Sequence, residues 1–426
     1  MSLLIKNGRV IDPSSGYDSK SDILIEKGLI KKIAKKISDE KIKEIIDVEG
    51  CVVSPGFVDM HVHLREPGHE NKETIETGIL AAAKGGFTSI ACMPNTIPVN
   101  DNRSVTEYII SRSHEIGTVN VFPIASISVG LDGVDITEMA DLKEGGAKGF
   151  SDDGKCVMSA DLIRKALEYT KMLNVPIIEH PEDHSISGDG QVNEGFISYK
   201  YGLKGILAAA EEVIVARDII LQERINSILH LTHISTAGSV DLIRNAKEKG
   251  VNVTSDVTPH HLLLTEESIT TYNPIYKMKP PLRTEKDREA LIKGLNDGTI
   301  DAIASDHAPH TFDEKDSEFE YAPFGVIGLE TSFNVIFEKL VNKNLISMRR
   351  MIELLSTNPS KILGLEGRGV VKPGAHADLT IFNPNKSFKI TTKEFVSKAN
   401  NCPFDGWEGE GAIIYTITGG KVAYKA

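Results

Sequence analysis

The central part of the chain alternates short β-branched runs with longer amphipathic stretches, and this alternation is what most constrains the fold. From Gly56 to about Leu365 it predicts eight strands, at residues 57–63, 88–93, 119–125, 147–151, 175–180, 227–233, 252–256 and 302–306. The clearest helical stretches are residues 103–116, 160–173, 208–222, 239–249 and 286–295. Eight β-then-α units over about 300 residues are typical of a (β/α)8 barrel, so we predict an α/β fold of the TIM type.

Short strands without intervening helices flank the predicted barrel on both sides. Before it, Lys27 and Gly28 separate two apolar runs like the turn of a tight hairpin, and Asn7-Gly8 places turn chemistry inside the first strand. After it, strands are predicted at residues 377–382, 413–418 and 421–424. We predict that both chain ends form one small β-sandwich domain, which divides the chain into residues 1–54, 55–365 and 366–426.

Composition limits the partners that such a chain can have. Its 426 residues carry 48 Lys and Arg against 60 Asp and Glu, a net charge of −12. An acidic chain lacks the basic surface of a nucleic-acid-binding or peripheral membrane protein. The four cysteines form no C-x-x-C motif, no apolar run approaches the ~18 residues of a membrane span, and we expect no signal peptide. We therefore expect a cytoplasmic protein with no nucleic-acid or membrane partner.

Two histidines end the first predicted barrel strand. In the run FVDMHVH, His61 and His63 are two residues apart. Side chains at this spacing share one face of a strand but diverge on a helix, so the spacing indicates a metal site only if the run is a strand. The apolar, β-branched neighbours favour a strand. Because barrel active sites lie at the carboxyl ends of the strands, the pair is a candidate metal motif.

Three later strands also end in residues that bind metals. The predicted fifth strand ends in His180, the sixth in His233 and the eighth in Asp306. Each residue alone is equally well explained as a capped or hydrogen-bonded core residue, but chance is a poor account of all three at one end of one barrel. Imidazole and carboxylate ligands without thiolates fit zinc, with manganese, cobalt or iron as alternatives.

The fourth predicted strand supplies an anion for the same end of the barrel. The run AKGFSDDG at residues 147–154 contains Lys148, Asp152 and Asp153. Two cations about 4 Å apart repel each other strongly and need an anion between them. Either Asp153 or a chemically modified Lys148 could be that bridge, whereas Asp-Asp-Gly taken alone is typical of a turn.

Several motifs together resemble those of class I dihydroorotases, which are cyclic amidohydrolases of the amidohydrolase superfamily. They are GFVDMHVH at 56–63, HLREPG at 63–68, MPNT at 93–96, FSDDG at 150–154, TPHH at 258–261, PPLR at 280–283, SDHAPH at 305–310 and APFGVIGLE at 322–330. The resemblance covers about residues 50–380, and the flanks fit the family's β-sandwich. Many hydrolases share His-x-His, but its combination with Arg65, SDHAPH and FSDDG is specific.

The resemblance implies the reversible cyclisation of N-carbamoyl-L-aspartate to dihydroorotate and water, a step of pyrimidine biosynthesis. It implies one or two zinc ions, held by His61, His63 and Asp306 on one side and by His180 and His233 on the other. Asp153 resembles the bridging carboxylate of class I bacterial enzymes. Related hydantoinases and other dihydroorotase classes use a carboxylated lysine instead, so Lys148 is the alternative bridging ligand.

The resemblance also implies a catalytic residue and a set of substrate contacts. Asp306 is expected to take the proton of the attacking water and deliver it to the leaving nitrogen. Arg65 suits a substrate carboxylate because its planar guanidinium binds carboxylates in a bidentate manner. The other implied contacts are Asn95, His310, Phe324 and Gly325. Lys279 stands where the family usually has a substrate-contacting asparagine, and lysine only donates hydrogen bonds whereas an amide also accepts them.

Two other interpretations remain open from the sequence. The chain could be another cyclic amidohydrolase, such as an allantoinase or a dihydropyrimidinase, although these generally lack the FSDDG run and Arg65 favours a carboxylate substrate. It could also be a non-catalytic scaffold relative, although such chains usually lose metal ligands. The resemblance further suggests a homodimer, and some class I dihydroorotases work in complex with aspartate transcarbamoylase.

Overall fold

Both ends of the chain contribute strands to one sheet. The computed structural model describes residues 2–38, 42 and 44–426, so residues 1, 39–41 and 43 of the predicted first segment lie outside the described residues. The strands at the start of the chain are β1 (Ser2–Asp12), β2 (Tyr17–Glu26), β3 (Leu29–Ala34), β4 (Glu44–Asp47) and β5 (Val52–Pro55). Those at its end are β15 (Leu379–Lys389), β16 (Glu408–Thr418) and β17 (Lys421–Lys425). They form an eight-stranded sheet in the order β17-β16-β15-β5-β1-β2-β3, with β4 paired to β1.

Two features predicted for the first strands can be compared with the structure. The hairpin between β2 and β3 is confirmed, and Lys27 and Gly28 both have positive φ, at 51° and 79°, as its tight turn requires. The first predicted strand, with its internal Asn7-Gly8 pair, is β1, which runs unbroken through both residues. The pairing of β1 with β2 shifts register between Ile5 and Gly8, so the Asn-Gly pair forms a bulge within the strand.

A closed ring of parallel strands occupies the centre of the chain. Its strands are β6 (Phe57–Val62), β7 (Phe87–Cys92), β8 (Asn120–Pro123), β9 (Ile177–Glu179), β12 (Leu229–Leu231), β13 (Val253–Val257) and β14 (Ala302–Ile303). They pair in the orders β6-β7-β8 and β9-β12-β13-β14, and two-residue strands β10 (Val192–Asn193) and β11 (Gly205–Ile206) pair separately. A bridge between Val62 and His307 joins the first barrel strand to the last, so the ring closes.

The strand predicted at residues 147–151 is reduced to one bridging residue. Phe150 pairs with Ala125 on one side and with Ile177 on the other. Ser151 donates to the Ala125 carbonyl over 2.9 Å, and Ile178 donates to the Phe150 carbonyl over 2.8 Å. The neighbouring Pro176 has no N–H, so this ladder cannot extend to the side that precedes Phe150. Phe150 nevertheless completes the eighth position of the predicted (β/α)8 barrel.

Helices surround the barrel and alternate with its strands. They are α1 (Ile75–Lys84), α2 (Arg103–Ile116), α3 (Met139–Glu144), α4 (Ala160–Leu173), α5 (His184–Ser187), α6 (Phe196–Tyr201), α7 (Ala209–Ile225), α8 (Ala237–Glu248), α9 (Pro259–Leu263), α10 (Glu285–Asp297), α11 (Phe312–Lys315), α12 (Ser332–Ile336), α13 (Met348–Ile352) and α14 (Asn358–Ile362). The five predicted helices match α2, α4, α7, α8 and α10, with ends that differ by at most three residues. Helix α1 was not among the clearest helical stretches of the sequence, and its consecutive Ala81, Ala82 and Ala83 are all buried. Within the described residues, no helix is both long and apolar enough to span a membrane.

Four phenylalanines join the barrel to the terminal sheet. Phe57 lies on β6, Phe333 on α12 and Phe382 on β15, and the ring of Phe333 is 5.7 Å from that of Phe57 and 4.9 Å from that of Phe382. Phe337 completes the cluster at 5.5 Å from Phe333. All four side chains are buried. Because Phe333 touches the other three, it holds the two parts of the molecule together by aromatic packing.

We expect Phe333→Ala to lower the free energy of unfolding by about 3–5 kcal/mol, since it leaves a cavity at this junction. Urea unfolding followed by circular dichroism would measure the change. The matched control is Phe196→Ala, whose side chain is 73% exposed, and a change of at most about 0.5 kcal/mol is expected there. Equal losses in the two variants would contradict the assignment of Phe333 to the junction.

Candidate metal centre and substrate cavity

Six side chains of the metal-binding type converge at the carboxyl ends of the barrel strands. His61 lies within β6 and His63 just follows it, His180 follows β9, His233 follows β12, Asp306 follows β14, and Asp153 follows the bridging residue Phe150. All six are buried. Barrel closure therefore brings together residues that are up to 245 positions apart in the sequence, from His61 to Asp306.

Asp153 lies among all four imidazoles. Its Oδ1 is 3.3 Å from His61 Nε2, 3.5 Å from His180 Nδ1 and 3.6 Å from His233 Nε2. Its Oδ2 is 3.5 Å from His63 Nε2. One carboxylate thus faces both histidine pairs, which is the placement that a bridging ligand between two cations requires.

Asp306 forms a second group with the His-x-His pair. Its Oδ1 is 3.2 Å from His63 Nε2 and 3.5 Å from His61 Nε2. The ligand atoms of these three residues lie within 4.8 Å of one another, as do those of His61, Asp153 and His233. His61 belongs to both groups.

The polar atoms at this centre fit a divalent metal. Among the described residues, His61 Nε2 and Asp153 Oδ1 are buried atoms without a hydrogen-bond partner. Two imidazole nitrogens, His180 Nδ1 and His233 Nε2, face each other at 2.8 Å. Buried polar atoms are rarely left unsatisfied, and nitrogen and carboxylate oxygens without thiolates are a donor set that zinc accepts. The residues present therefore fit a metal centre.

The electrostatics of the centre favour positive charge. Burial acts to lower the pKa of His61, but Asp153 and Asp306 outweigh it and raise this pKa to about 10. For His180, burial is likewise outweighed by Asp153 and Glu182, and the pKa rises to about 9. Burial acts to raise the pKa of Asp153, yet the surrounding imidazoles hold it well below its usual value. The two buried carboxylates therefore remain ionised and attract cations.

The imidazole of His61 is oriented by residues that the sequence analysis did not single out. Its Nδ1 lies 2.8 Å from Thr232 Oγ1, and the Thr232 hydroxyl donates to Asp256 Oδ2 over 3.0 Å. Asp256 Oδ1 accepts from the backbone N–H of His233 over 2.7 Å. The alternation of His230 in β12 with Thr232 just after it was the available signal. Such outer partners fix the orientation of metal-ligating histidines.

Asp59 is another residue that the sequence analysis did not single out, and it joins the first barrel strand to the last by hydrogen bonds. It accepts from the backbone N–H of His61 over 3.1 Å and from that of Ser305 over 3.1 Å. Burial raises the pKa of Asp59 to about 6, against the lowering effect of these hydrogen bonds. The signal was present in the sequence, because Asp59 is a polar residue in an apolar strand two positions before His61.

A cavity of about 380 Å³ opens directly onto the candidate metal centre. Its lining comprises His63, Arg65, Asn95, Asp153, Gly154, His180, His233, Lys279, Asp306, Ala308, His310, Pro323, Phe324 and Gly325. All six residues that the sequence analysis named as substrate contacts are in this set. Lys148, the alternative bridging ligand, is half-buried and is not among the described residues that line the cavity.

Arg65 and Asn95 present donors at the cavity wall beside His63. Arg65 has a positive φ of 63°, and its Nε donates to the Pro309 carbonyl over 3.2 Å. Asn95 Oδ1 lies 2.9 Å from His63 Nδ1. The amide NH2 of Asn95 faces Gly154, where an added Cβ would lie 3.4 Å from Nδ2. The side-chain oxygen of Asn95 therefore contacts a candidate metal ligand, and its NH2 group faces the cavity.

Lys279 contacts an acidic neighbour of the metal centre. Its Nζ is 2.8 Å from Glu182 Oε1, and Glu182 Oε2 is 3.2 Å from His180 Nε2. The ammonium group is also 5.3 Å from the ring centroid of Phe324. The lysine that replaces the family's usual asparagine thus compensates the charge of a buried glutamate, and this glutamate orients His180.

The far wall of the cavity is formed by backbone that follows β14. His310 Nε2 lies 2.8 Å from the Phe324 carbonyl oxygen. Gly325 has a positive φ of 129°, and an added Cβ would meet the Ala308 Cβ at 2.8 Å. A glycine is needed there both for its conformation and for this close approach.

Two buried lysines outside the sequence prediction hold this loop. Lys277 Nζ donates to the carbonyls of Phe319 and Glu320, over 2.8 and 3.0 Å. Lys315 Nζ donates to the carbonyl of Pro323 over 2.8 Å and to that of Lys277 over 3.2 Å. Burial lowers the pKa of Lys315 to about 7 and that of Lys277 to about 8. An isolated lysine in a loop gives no sequence signal for such a role.

Comparison with known proteins identifies relatives that match over the whole chain. A family model described as "Dihydro-orotase-like" matches residues 50–239, and one described as "Amidohydrolase family" matches residues 328–424. A dihydroorotase of Geobacter metallireducens is 50% identical over 425 residues, covering 100% of both chains. A dihydroorotase of Syntrophus aciditrophicus is 48% identical over 426 residues, again covering 100% of both chains.

Solved structures share the fold at lower sequence identity. An L-hydantoinase (dihydropyrimidinase) from Arthrobacter aurescens has a TM-score of 0.89 at 25% identity, covering 99% of this chain and 95% of that one. A dihydropyrimidinase from Brevibacillus agri has a TM-score of 0.85 at 24% identity, with the same coverage. These likenesses agree with the barrel and the terminal β domain described above. On the strength of its full-length identity to the curated relatives, the chain belongs to the dihydroorotase family.

Proposed function

We propose that the chain is a metal-dependent dihydroorotase of pyrimidine biosynthesis. It closes N-carbamoyl-L-aspartate to (S)-dihydroorotate with release of water, and it opens the ring in reverse. The observation that carries this proposal is the position of Asp153 among four imidazoles, at the base of a cavity whose wall includes the half-buried Arg65. A metal centre next to a carboxylate-binding arginine suits a cyclic amide that bears a carboxylate.

We propose zinc as the metal, in one or two ions per chain. His61, His63 and Asp306 would hold one ion, His180 and His233 the other, and Asp153 would bridge them. A divalent metal in this position supplies Lewis acidity and lowers the pKa of a water molecule to around 7.

Asp306 is the proposed proton carrier. Its Oδ1 faces His63 Nε2 at 3.2 Å, which leaves Oδ2 for the water and the ring nitrogen. Burial acts to raise the pKa of Asp306, but His61 and His63 lower it, so the carboxylate is ionised and able to accept a proton. In ring opening, Asp306 takes the proton of the attacking water and delivers it to the leaving amide nitrogen. In ring closure, the same carboxylate works in the opposite direction.

The substrate carboxylate is proposed to bind Arg65 and the NH2 group of Asn95. Arg65 offers a planar pair of N–H donors, and its Nε is already oriented by the Pro309 carbonyl. His310 and the backbone around Phe324 and Gly325 enclose the opposite side of the ring. Lys279 acts through Glu182 rather than through the substrate, because its ammonium group is engaged by that carboxylate at 2.8 Å.

The first experiment follows hydrolysis of L-dihydroorotate by loss of its ultraviolet absorbance, with hydantoin, dihydrouracil and allantoin assayed in parallel. We expect turnover of dihydroorotate alone. A strong chelator should abolish the activity, and added zinc should restore it, because the attacking water depends on the metal.

Each other outcome of this assay points to a different protein. Turnover of a neutral ring instead of dihydroorotate would assign the chain to the hydantoinase branch, to which its structural neighbours belong. Inactivity on all four compounds, both alone and with aspartate transcarbamoylase present, would favour a non-catalytic scaffold.

The bridging ligand can be tested by metal content. We expect Asp153→Asn to lose at least one equivalent of zinc. An amide lacks the negative charge that offsets the repulsion between two neighbouring cations. Lys148→Met is the matched variant from the same segment and should retain the zinc content of the parent. Inductively coupled plasma mass spectrometry of the dialysed proteins measures both. Retained zinc in Asp153→Asn with loss in Lys148→Met would make the modified lysine the bridge.

The role of Arg65 can be tested by the conservative variant Arg65→Lys. We expect KM for dihydroorotate to rise about 10- to 100-fold, because a lysine cannot replace the bidentate hydrogen bonds to a carboxylate. Steady-state kinetics measure this change, and zinc content should stay at the parent value. An unchanged KM would show that the carboxylate binds elsewhere.

We also propose a cytoplasmic homodimer that is able to work with aspartate transcarbamoylase. The support is family membership, since full-length relatives are dihydroorotases. Analytical ultracentrifugation of the chain, alone and mixed with aspartate transcarbamoylase, tests both assemblies.

A further inference from the structure

The connection between β15 and β16 leaves the terminal sheet and contacts two loops at the catalytic end of the barrel. We call residues 396–402 of this connection the crossing segment. The Ser397 hydroxyl and the backbone N–H of Lys398 both donate to Glu73, which precedes α1. Glu73 Oε2 is in turn 3.2 Å from Nε2 of His307, the residue after Asp306. The crossing segment is thereby anchored beside both the first and the last barrel strands.

Within the crossing segment, Asn401 forms hydrogen bonds with residues that line the substrate cavity. Its Nδ2 donates to the carbonyls of Ala308 and Gly325, over 3.0 and 3.1 Å. Its Oδ1 accepts from the backbone N–H of His310 over 3.3 Å. Its own carbonyl accepts from the backbone N–H of Ile327 over 3.1 Å. The side chain is 1% exposed, so these contacts are made away from solvent.

The partners of Asn401 belong to the two backbone segments that form one wall of the cavity. Ala308, His310 and Gly325 all line it. The two segments also meet directly, since Ala308 N–H donates to the Val326 carbonyl over 2.8 Å. Asn401 therefore joins the two backbone segments a second time. Its partners Ala308 and His310 flank Pro309, whose carbonyl accepts from Arg65.

We propose that Asn401 is a positioning residue for substrate binding. It does not line the cavity, but it sets the separation and orientation of the backbone at residues 308–310 and 325, against which the substrate ring is held. This inference rests on the proposed dihydroorotase function for the identity of the ligand. It assigns to the C-terminal part of the chain a role in the active site of the barrel.

An asparagine is specifically suited to this position. The site presents two carbonyl oxygens and one N–H, and a carboxamide supplies two donors and one acceptor on the shortest side chain. A carboxylate of the same shape would direct an anionic oxygen at two carbonyl oxygens. An apolar residue would leave three buried backbone groups without partners, which is costly.

The candidate metal centre is held by other contacts. His61 is oriented by Thr232 and Asp59, and Asp153 lies in the loop after Phe150, none of which contacts Asn401 through a hydrogen bond recorded for the described residues. Asp306 lies two residues before Ala308, but its neighbours are held separately, since Ser305 N–H donates to Asp59 and the His307 carbonyl accepts from His63 N–H. We therefore expect a change at Asn401 to act on the substrate wall and to leave the candidate metal ligands in place. This separation distinguishes positioning of the substrate from general support of the fold.

The test compares Asn401→Asp with Asn400→Asp in the full-length zinc enzyme. Asn400 is the adjacent, exposed residue, so the control makes the same change of charge at a neighbouring position. We expect KM for dihydroorotate to rise at least about tenfold in Asn401→Asp, equivalent to the loss of one net hydrogen bond to a buried group. We expect kcat to change less than about threefold and zinc content to match the parent. Asn400→Asp should match the parent in all three measurements.

A second readout does not depend on catalysis. Hydrogen–deuterium exchange of peptides that cover residues 307–327 should be faster in Asn401→Asp than in the parent and unchanged in Asn400→Asp. If the parent turns over no dihydroorotate but this difference is found, the proposed function fails and the positioning of the wall stands, with the substrate reassigned.

Three results would overturn the proposal. One is a folded Asn401→Asp with parental KM and exchange, and another is a loss of kcat or zinc with KM unchanged. If Asn401→Asp does not fold, Asn401→Ser, which keeps one donor, is measured in the same way. A parental KM in that folded variant would equally overturn the proposal.

Discussion

Closure of the barrel between its first and last strands is the constraint on which the candidate site depends. The backbone N–H of His63 donates to the His307 carbonyl over 2.9 Å, and the Asp59 carboxylate joins β6 to the residues after β14. These contacts bring Asp306 to within 3.2 Å of His63. Without them, the ligand-type residues of the first and last strands would lie at opposite edges of an open sheet.

The closed ring concentrates opposite charges where little water can screen them. Two carboxylates lie among four imidazoles, and burial alone would neutralise all of them. Their mutual attraction instead keeps the carboxylates ionised and raises the pKa of His61 and His180. This arrangement suits a divalent cation, because the candidate ligands are already held together by the strands that carry them.

The chain outside the barrel contacts both the barrel core and the wall of the cavity. The terminal sheet is joined to the barrel by the aromatic cluster around Phe333, and the crossing segment extends from that sheet to the cavity wall. Hydrogen bonds from Asn401, Lys277 and Lys315 fix backbone carbonyls of the loop after β14. A loop held in this way can present its backbone to a substrate at low entropic cost.

Much of the fold and of the candidate site could be predicted from the sequence. The alternation of strands and helices predicted the barrel, and five helices were placed within three residues of their observed ends. The ligand-type residues could be named because they follow apolar strand runs, and strand ends of a barrel converge. Their assignment as metal ligands and substrate contacts remains a proposal that the experiments above test.

Local sequence patterns were enough to predict which strands end in histidine or aspartate, because the signal for each lies within a few adjacent residues. The three-dimensional fold was needed to show that Lys279 pairs with Glu182, that Thr232 and Asp256 orient His61, and that Asn401 joins Ala308 to Gly325. It also decided that the fourth strand is reduced to Phe150. These features depend on contacts between residues distant in sequence, so no local pattern of side chains encodes them.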